Sequence, residues 1–157
     1  MLKPVWQDKE ACHRLFETGF IAKKYNYHNN CKKQVRITLD DELTCLTYTT
    51  EQPPWNCIDK LKNKSTTIPL TNFIEILYGG QSVTFWKHVS IAKEAEDKRK
   101  SKSVRSSKLR VLNDPIFKFH AWECLSLVTS KGTTLDFVIH DMSYMMALLS
   151  VIARHIY

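Results

Sequence analysis

The 157 residues fit a single domain, and a chain of that length can bury a working core without disulfides or a structural metal. Hydrophobic residues at 43% and charged residues at 25% exclude a wholly disordered chain, and only four glycines and five prolines exclude collagen-like and low-complexity classes. Lys and Arg number 23 against 16 Asp and Glu, a balance of +7 that favours acidic partners: phosphate-bearing lipid, nucleic acid or an acidic protein face.

Gln7 to Phe16 has helical spacing, with Ala11, Cys12, Leu15 and Phe16 on one side, and Gly19 ends it. Thr18 to Tyr25 reads as a strand. Gln34 to Leu39 alternates, with Val35, Ile37 and Leu39 on one face and Gln34, Arg36 and Thr38 on the other. Asp40-Asp41-Glu42 is turn chemistry, and the alternation resumes from Thr44 to Thr49, so Gln34 to Thr49 is a predicted hairpin. Glu51 to Lys64 holds Pro53-Pro54 and reads as a loop. Thr66 to Leu70 and Phe73 to Tyr78 are two further strands, closed by Gly79-Gly80.

Charge is concentrated in the next stretch. Lys87 to Arg110 holds nine basic residues and three acids, so most of the net charge sits there. Its second half, KRKSKSVRSSKLR, has no acid and too few apolar residues for a core, which predicts a long basic loop over 87–113. Trp122 to Thr129 and Thr133 to Ile139 are β-rich, with Lys131-Gly132 as the turn between them. Asp141 is a predicted N-cap for a helix with Tyr144, Met145, Leu148, Leu149, Ile152 and Ile156 on one stripe. The fold class is therefore mainly β: about seven strands in an antiparallel barrel or sandwich, capped by a C-terminal α-helix, with a short N-terminal helix.

Five cysteines (Cys12, Cys31, Cys45, Cys57 and Cys124) are scattered without CxxC or zinc-finger spacing, as expected of reduced thiols in a cytoplasmic protein. The first residues carry no apolar signal-peptide core, and no apolar run approaches the roughly 18 residues of a spanning helix, so peripheral membrane contact is the expectation. Nucleophile-elbow, P-loop, HExxH and GxGxxG motifs are absent and the six histidines lack ligand spacing, so neither catalysis nor a cofactor is expected.

Three stretches together resemble the pleckstrin homology (PH) family, in its phospholipase-C-like variety. GFIAKKYNYHNNCKKQVRITLDDELTCLTY resembles the first three strands, TTIPLTNFIEILYGGQSVTF the fourth and fifth, and ECLSLVTSKGTTLDFVIHD the last two, with Leu135-Asp136-Phe137 as signature. The resemblance covers about Phe16 to Ile156. It implies a helical extension over 1–15 and a PH-like domain over 16–157, with Leu148 at the position where the family usually carries a Trp. Asp136 is usually structural in the family.

The resemblance also implies a headgroup site made by the first two strands. Lys23 or Lys24 would come from the first, and Lys32, Lys33 and Arg36 from the loop and second; Lys60 and Lys62 would border the mouth from the next loop. Gly19 to Leu39 holds five basic residues and no acid, and convergent ammoniums with an Arg fork suit a phosphate. Lys33 and Arg36 are three apart, however, and face opposite sides of a regular strand. The implied partner is an acidic phospholipid surface, phosphoinositide or phosphatidic acid. The alternative is a protein-interaction module that docks an acidic partner; Tyr25, Tyr27, Trp55 and Trp86 are aromatic candidates for a partner surface or a membrane wedge, with core packing the commoner fate of such residues. Nucleic acid is not favoured, because no recognition motif accompanies the basic run.

Overall fold

Val35, Ile37 and Leu39 alternate with polar residues, and their common face is buried in the core. A computed structural model describes residues 8–29, 31–51, 64–102 and 120–157. Its strands are β1 (Phe20–Tyr25), β2 (Lys32–Leu39), β3 (Cys45–Thr50), β4 (Ser65–Pro69), β5 (Phe73–Tyr78), β6 (Cys124–Thr129) and β7 (Thr134–Val138). All seven lie in one antiparallel sheet, in the order β4-β3-β2-β1-β7-β6-β5. A 3₁₀ turn over Leu70–Asn72 carries the chain between the two edge strands. The β1–β2 and β6–β7 connections lie at one end, since Tyr25 pairs with both Lys32 and Asp136.

The expected hairpin is present. Asp40 closes its turn by accepting from the N–H groups of Thr44 and Cys45, both at 2.7 Å. At the other predicted turn, Gly132 (φ 75°) donates to the carbonyl of Thr129.

Two helices close the core. α1 (Lys9–Thr18) starts at Asp8, whose carboxylate accepts from the N–H of Glu10 at 3.0 Å, and it buries Cys12 and Phe16 in the same cluster as the strands. α3 (Met142–Ile156) starts at the predicted Asp141 cap and buries Met145, Leu148 and Ile152 against that cluster. His155, near its end, is bonded to the carbonyl of Leu43 in the β2–β3 turn at 2.9 Å. Cys12, Cys31, Cys45 and Cys124 are not disulfide-bonded.

The expected basic loop over 87–113 is corrected in its first part. Residues 87–102 form the body of a twenty-residue helix, α2 (Val83–Lys102). Phe85 and His88, three apart, give it a docking face: Phe85 is buried with Tyr25, Cys124 and Val138 on the outside of the sheet, and the His88 ring meets Tyr25 edge-on. The rest of the expected loop lies outside the described residues.

Gly19 joins α1 to β1 with φ 70°, and a Cβ there would lie 2.5 Å from the carbonyl oxygen of Ile37. Gly19→Ala therefore meets both a left-handed backbone and a rigid neighbour. Chemical denaturation should show a loss of about 1–3 kcal/mol.

Glu123, in the 3₁₀ turn before β6, is buried and accepts from the backbone N–H of His120 at 2.6 Å and pairs with His140 Nδ1 at 2.9 Å. Burial alone pushes its carboxyl up, and the His140 and His120 bonds reverse this, leaving it below the ordinary value of 4.5. A depressed carboxylate contributes stability that is complete above the ordinary value and is lost as pH falls through the folded one. Glu123→Gln should cost roughly 1–3 kcal/mol at neutral pH, with the gap to the parent closing below pH 4.5 in denaturation curves taken across pH.

Candidate functional site

Antiparallel partners share a face, so the β1–β2 ladder decides which lysines converge. Lys24 pairs with Lys33, and both lie on the face that carries Phe20, Ala22, Val35 and Ile37 into the core. They stand near the end of β1 and the start of β2, beside the loop that joins those strands, which we take as the open end of the fold. Lys23 pairs with Gln34, Tyr25 with Lys32 and Ile21 with Arg36 on the opposite, outer face. The expected set is thus divided: Lys24 and Lys33 come together inside, while Lys23, Lys32 and Arg36 lie outside.

Lys24 is half-buried. Its ammonium lies 5.5 Å from the centre of the Tyr48 ring and donates to the side-chain oxygen of Asn26. Tyr48 in turn meets Phe137 edge-on at 6.1 Å, so an aromatic floor underlies the amine. Burial holds the Lys24 pKa below its ordinary value; Asp136 opposes that shift and the charge of Lys33 adds to it. Asp136 lies on the outer face and accepts from Ser126 Oγ at 2.6 Å and Thr134 Oγ1 at 2.7 Å, a structural arrangement.

Arg36 is engaged elsewhere. Its Nε meets Glu51 Oε1 at 2.6 Å, and one terminal nitrogen donates to the carbonyl of Thr18 at 3.3 Å. Lys60, Lys62 and Trp55 lie outside the described residues. Lys64 and Lys131 are exposed.

The outer side of the same loop is tied to α2. Lys87 Nζ donates to the carbonyl of Tyr27 at 2.6 Å and sits 4.2 Å from the centre of its ring. His88 Nε2 meets the carbonyl of Asn26 at 3.1 Å. A cavity of about 600 Å³ opens between this loop, the start of α2 and the β6–β7 turn, lined among others by Tyr27, His28, Gln81, Ser82 and Thr133. Tyr25, an expected surface aromatic, is instead buried beneath Phe85, because α2 covers that part of the sheet. The sequence reading missed Asn26, Tyr48, Lys87 and His88. His88 was legible as the polar member of a helical repeat through Phe85, Val89 and Ala92; Asn26 and Tyr48 depend on strand pairing, and Lys87 on where that helix docks.

No family model matches the chain, and no curated protein matches its sequence. Among solved structures it is similar to Inner Membrane Complex Sub-compartment Protein 3 of Toxoplasma gondii, at 12% identity and TM-score 0.52, over 99% of this chain and 87% of that one. It is also similar to Sub-compartment Protein 1 of the same organism, at 11% identity and TM-score 0.52, over 99% and 94%. S. officinalis PLC21 matches at 8% identity and TM-score 0.48, over 88% of this chain and 16% of that one. Identities this low show a shared fold alone.

Phe85→Ala should release α2 from the sheet. The expected cost is about 3–5 kcal/mol, with amide exchange in Asn26–Asn29 accelerated far more than in the β2–β3 hairpin, as read by hydrogen exchange.

Proposed function

The chain has a PH-like fold, and we propose that its open end binds acidic phospholipid headgroups, phosphoinositide or phosphatidic acid, at a membrane surface. The observation that supports this is the pairing of Lys24 with Lys33 on the inward face, beside the β1–β2 loop. Two ammoniums held that close repel, and one of them is partly desolvated. A phosphate between them relieves the repulsion and replaces lost hydration with charge-assisted hydrogen bonds.

Lys23 and Lys32 flank the same loop from the outer face and add long-range attraction. Each lysine near an anionic surface contributes about 1 kcal/mol, so the inward pair alone gives roughly thirtyfold enrichment. Arg36 is left out of this site because it lies on the outer face, where its Nε is paired with Glu51. The two sub-compartment proteins that share the fold are named for a membrane complex, which accords with a surface-bound module. No described helix is long and apolar enough to cross a membrane.

A protein-interaction role is the second reading. It draws on β5, an edge strand that exposes Ile74 and Tyr78 beside the exposed Trp122, a surface suited to an added peptide strand.

Sedimentation with phosphatidylcholine vesicles, plain or carrying phosphatidic acid or a phosphoinositide, tests the proposal. The parent chain should bind the acidic vesicles at about 0.15 M salt. Lys24→Glu with Lys33→Glu should reduce that binding about tenfold or more, while Arg36→Gln leaves it intact. Unchanged binding by the double variant defeats the inward site. No capture by any acidic vesicle leaves the interaction module as the better reading.

A further inference from the structure

Single exposed apolar residues are ordinary on a protein surface, but a contiguous group with large side chains calls for a partner. Val83 is 68% exposed, Trp86 64% and Tyr27 43%. Val83, Trp86 and Lys87 are spaced three and four apart on α2 and share one side of its first two turns. Lys87 bridges from there to Tyr27 through its carbonyl and its ring. Val83 and Tyr27 also border the same cavity.

Resting on the headgroup reading, we propose that Tyr27, Val83 and Trp86 form an interfacial wedge that enters the same acidic membrane surface. Three observations favour lipid as the occupant. First, the patch adjoins the β1–β2 loop, so the face carrying Lys24 and Lys33 and the face carrying the wedge flank one protruding element. Second, segments 25–29, 81–87 and 130–133, around the cavity that Val83 and Tyr27 border, contain no acidic residue, and they contribute Lys87 and Lys131. That is the charge complement of an anionic surface. Third, Trp and Tyr rings are amphipathic and settle at the headgroup level, where their polar edges stay hydrated.

The wedge is also held in place before binding. Phe85 and His88 fix the underside of the helix to Tyr25, and Ser82 stands at its start, accepting from the N–H of Phe85 at 3.4 Å. Little ordering is therefore required when the patch meets lipid. Electrostatic attraction fades with salt, whereas apolar insertion does not, so the wedge supplies the part of membrane binding that survives at high ionic strength.

The test uses the full chain with Trp6, Trp55 and Trp122 changed to Phe, leaving Trp86 as the single reporter. Vesicles of phosphatidylcholine and phosphatidic acid in equal amounts are prepared with and without brominated acyl chains. Trp86 emission should shift to shorter wavelength on binding and be quenched by the bromine. Val83→Asp with Trp86→Ser, checked for unchanged thermal unfolding, should lower partitioning roughly tenfold and make the remainder fully reversible by salt. If vesicles bind while Trp86 stays unquenched and the double variant partitions like the parent, the wedge is overturned and the headgroup reading stands. If a soluble inositol phosphate binds but vesicles do not, the wedge is again overturned. If neither binds, both readings fall, and quenching of Trp86 by a protein partner would reassign the patch.

Discussion

The pairing of β1 with β2 decides the side of every basic residue near the open end. Strand side chains alternate, so a slip of one residue would exchange the inner and outer sets and move Lys24 out of the mouth. Two features hold the register. Phe20 opposite Ile37 and Ala22 opposite Val35 bury apolar faces that a slip would expose. At the start of β1, Gly19 approaches the Ile37 carbonyl so closely that only a hydrogen fits. The loop adds its own closure, with Asn26 N–H donating to the Cys31 carbonyl at 2.9 Å. Lysine placement thus follows from core packing and one glycine rather than from the lysines themselves, whose mutual repulsion opposes it.

The same division between packing and charge explains what could be read in advance. Seven strands and the C-terminal helix follow from periods of two and of about three and a half in apolar residues, and those periods are local. The turn at Asp40 and the cap at Asp141 were equally legible, because each is a side chain satisfying backbone N–H groups a few residues away. α2 was not, because its two halves send different signals. Its first half repeats Phe85, His88, Val89 and Ala92 with helical spacing, which is readable. Its second half is rich in Lys, Glu and Ala, a composition shared by solvated loops and exposed helix surfaces alike. A charge run alone does not distinguish the two, and only docking of Phe85 on the sheet decides for the helix.

At the site, the opposed sides of Lys33 and Arg36 were legible three residues apart, and consecutive Lys23 and Lys24 likewise face opposite sides of a strand. What the ladder adds is their partners, Gln34 for the outer Lys23 and Lys33 for the inner Lys24. The pairing of Arg36 with Glu51 was out of reach for a different reason. The partners are fifteen residues apart and meet because β2 and β3 run side by side. Burial of Tyr25 depends on α2 as well, because Phe85 covers it.

The inner and outer sides of the β1–β2 loop then present complementary physics. Inside, Lys24 is held by an amide oxygen and a ring face, with another ammonium alongside. That arrangement holds positive charge where water is partly excluded, which costs stability in the unbound chain and is relieved by an anion. Outside, Lys87 holds Tyr27 near the exposed Val83 and Trp86, an apolar area that the proposed wedge would bury in lipid. Attraction through lysines acts over roughly a Debye length and guides approach; apolar contact acts only on touching and slows departure. A module with two weak terms on either side of one loop is retained only where both are met at once. On the proposed reading, specificity for an acidic surface comes from their coincidence rather than from a single tight pocket.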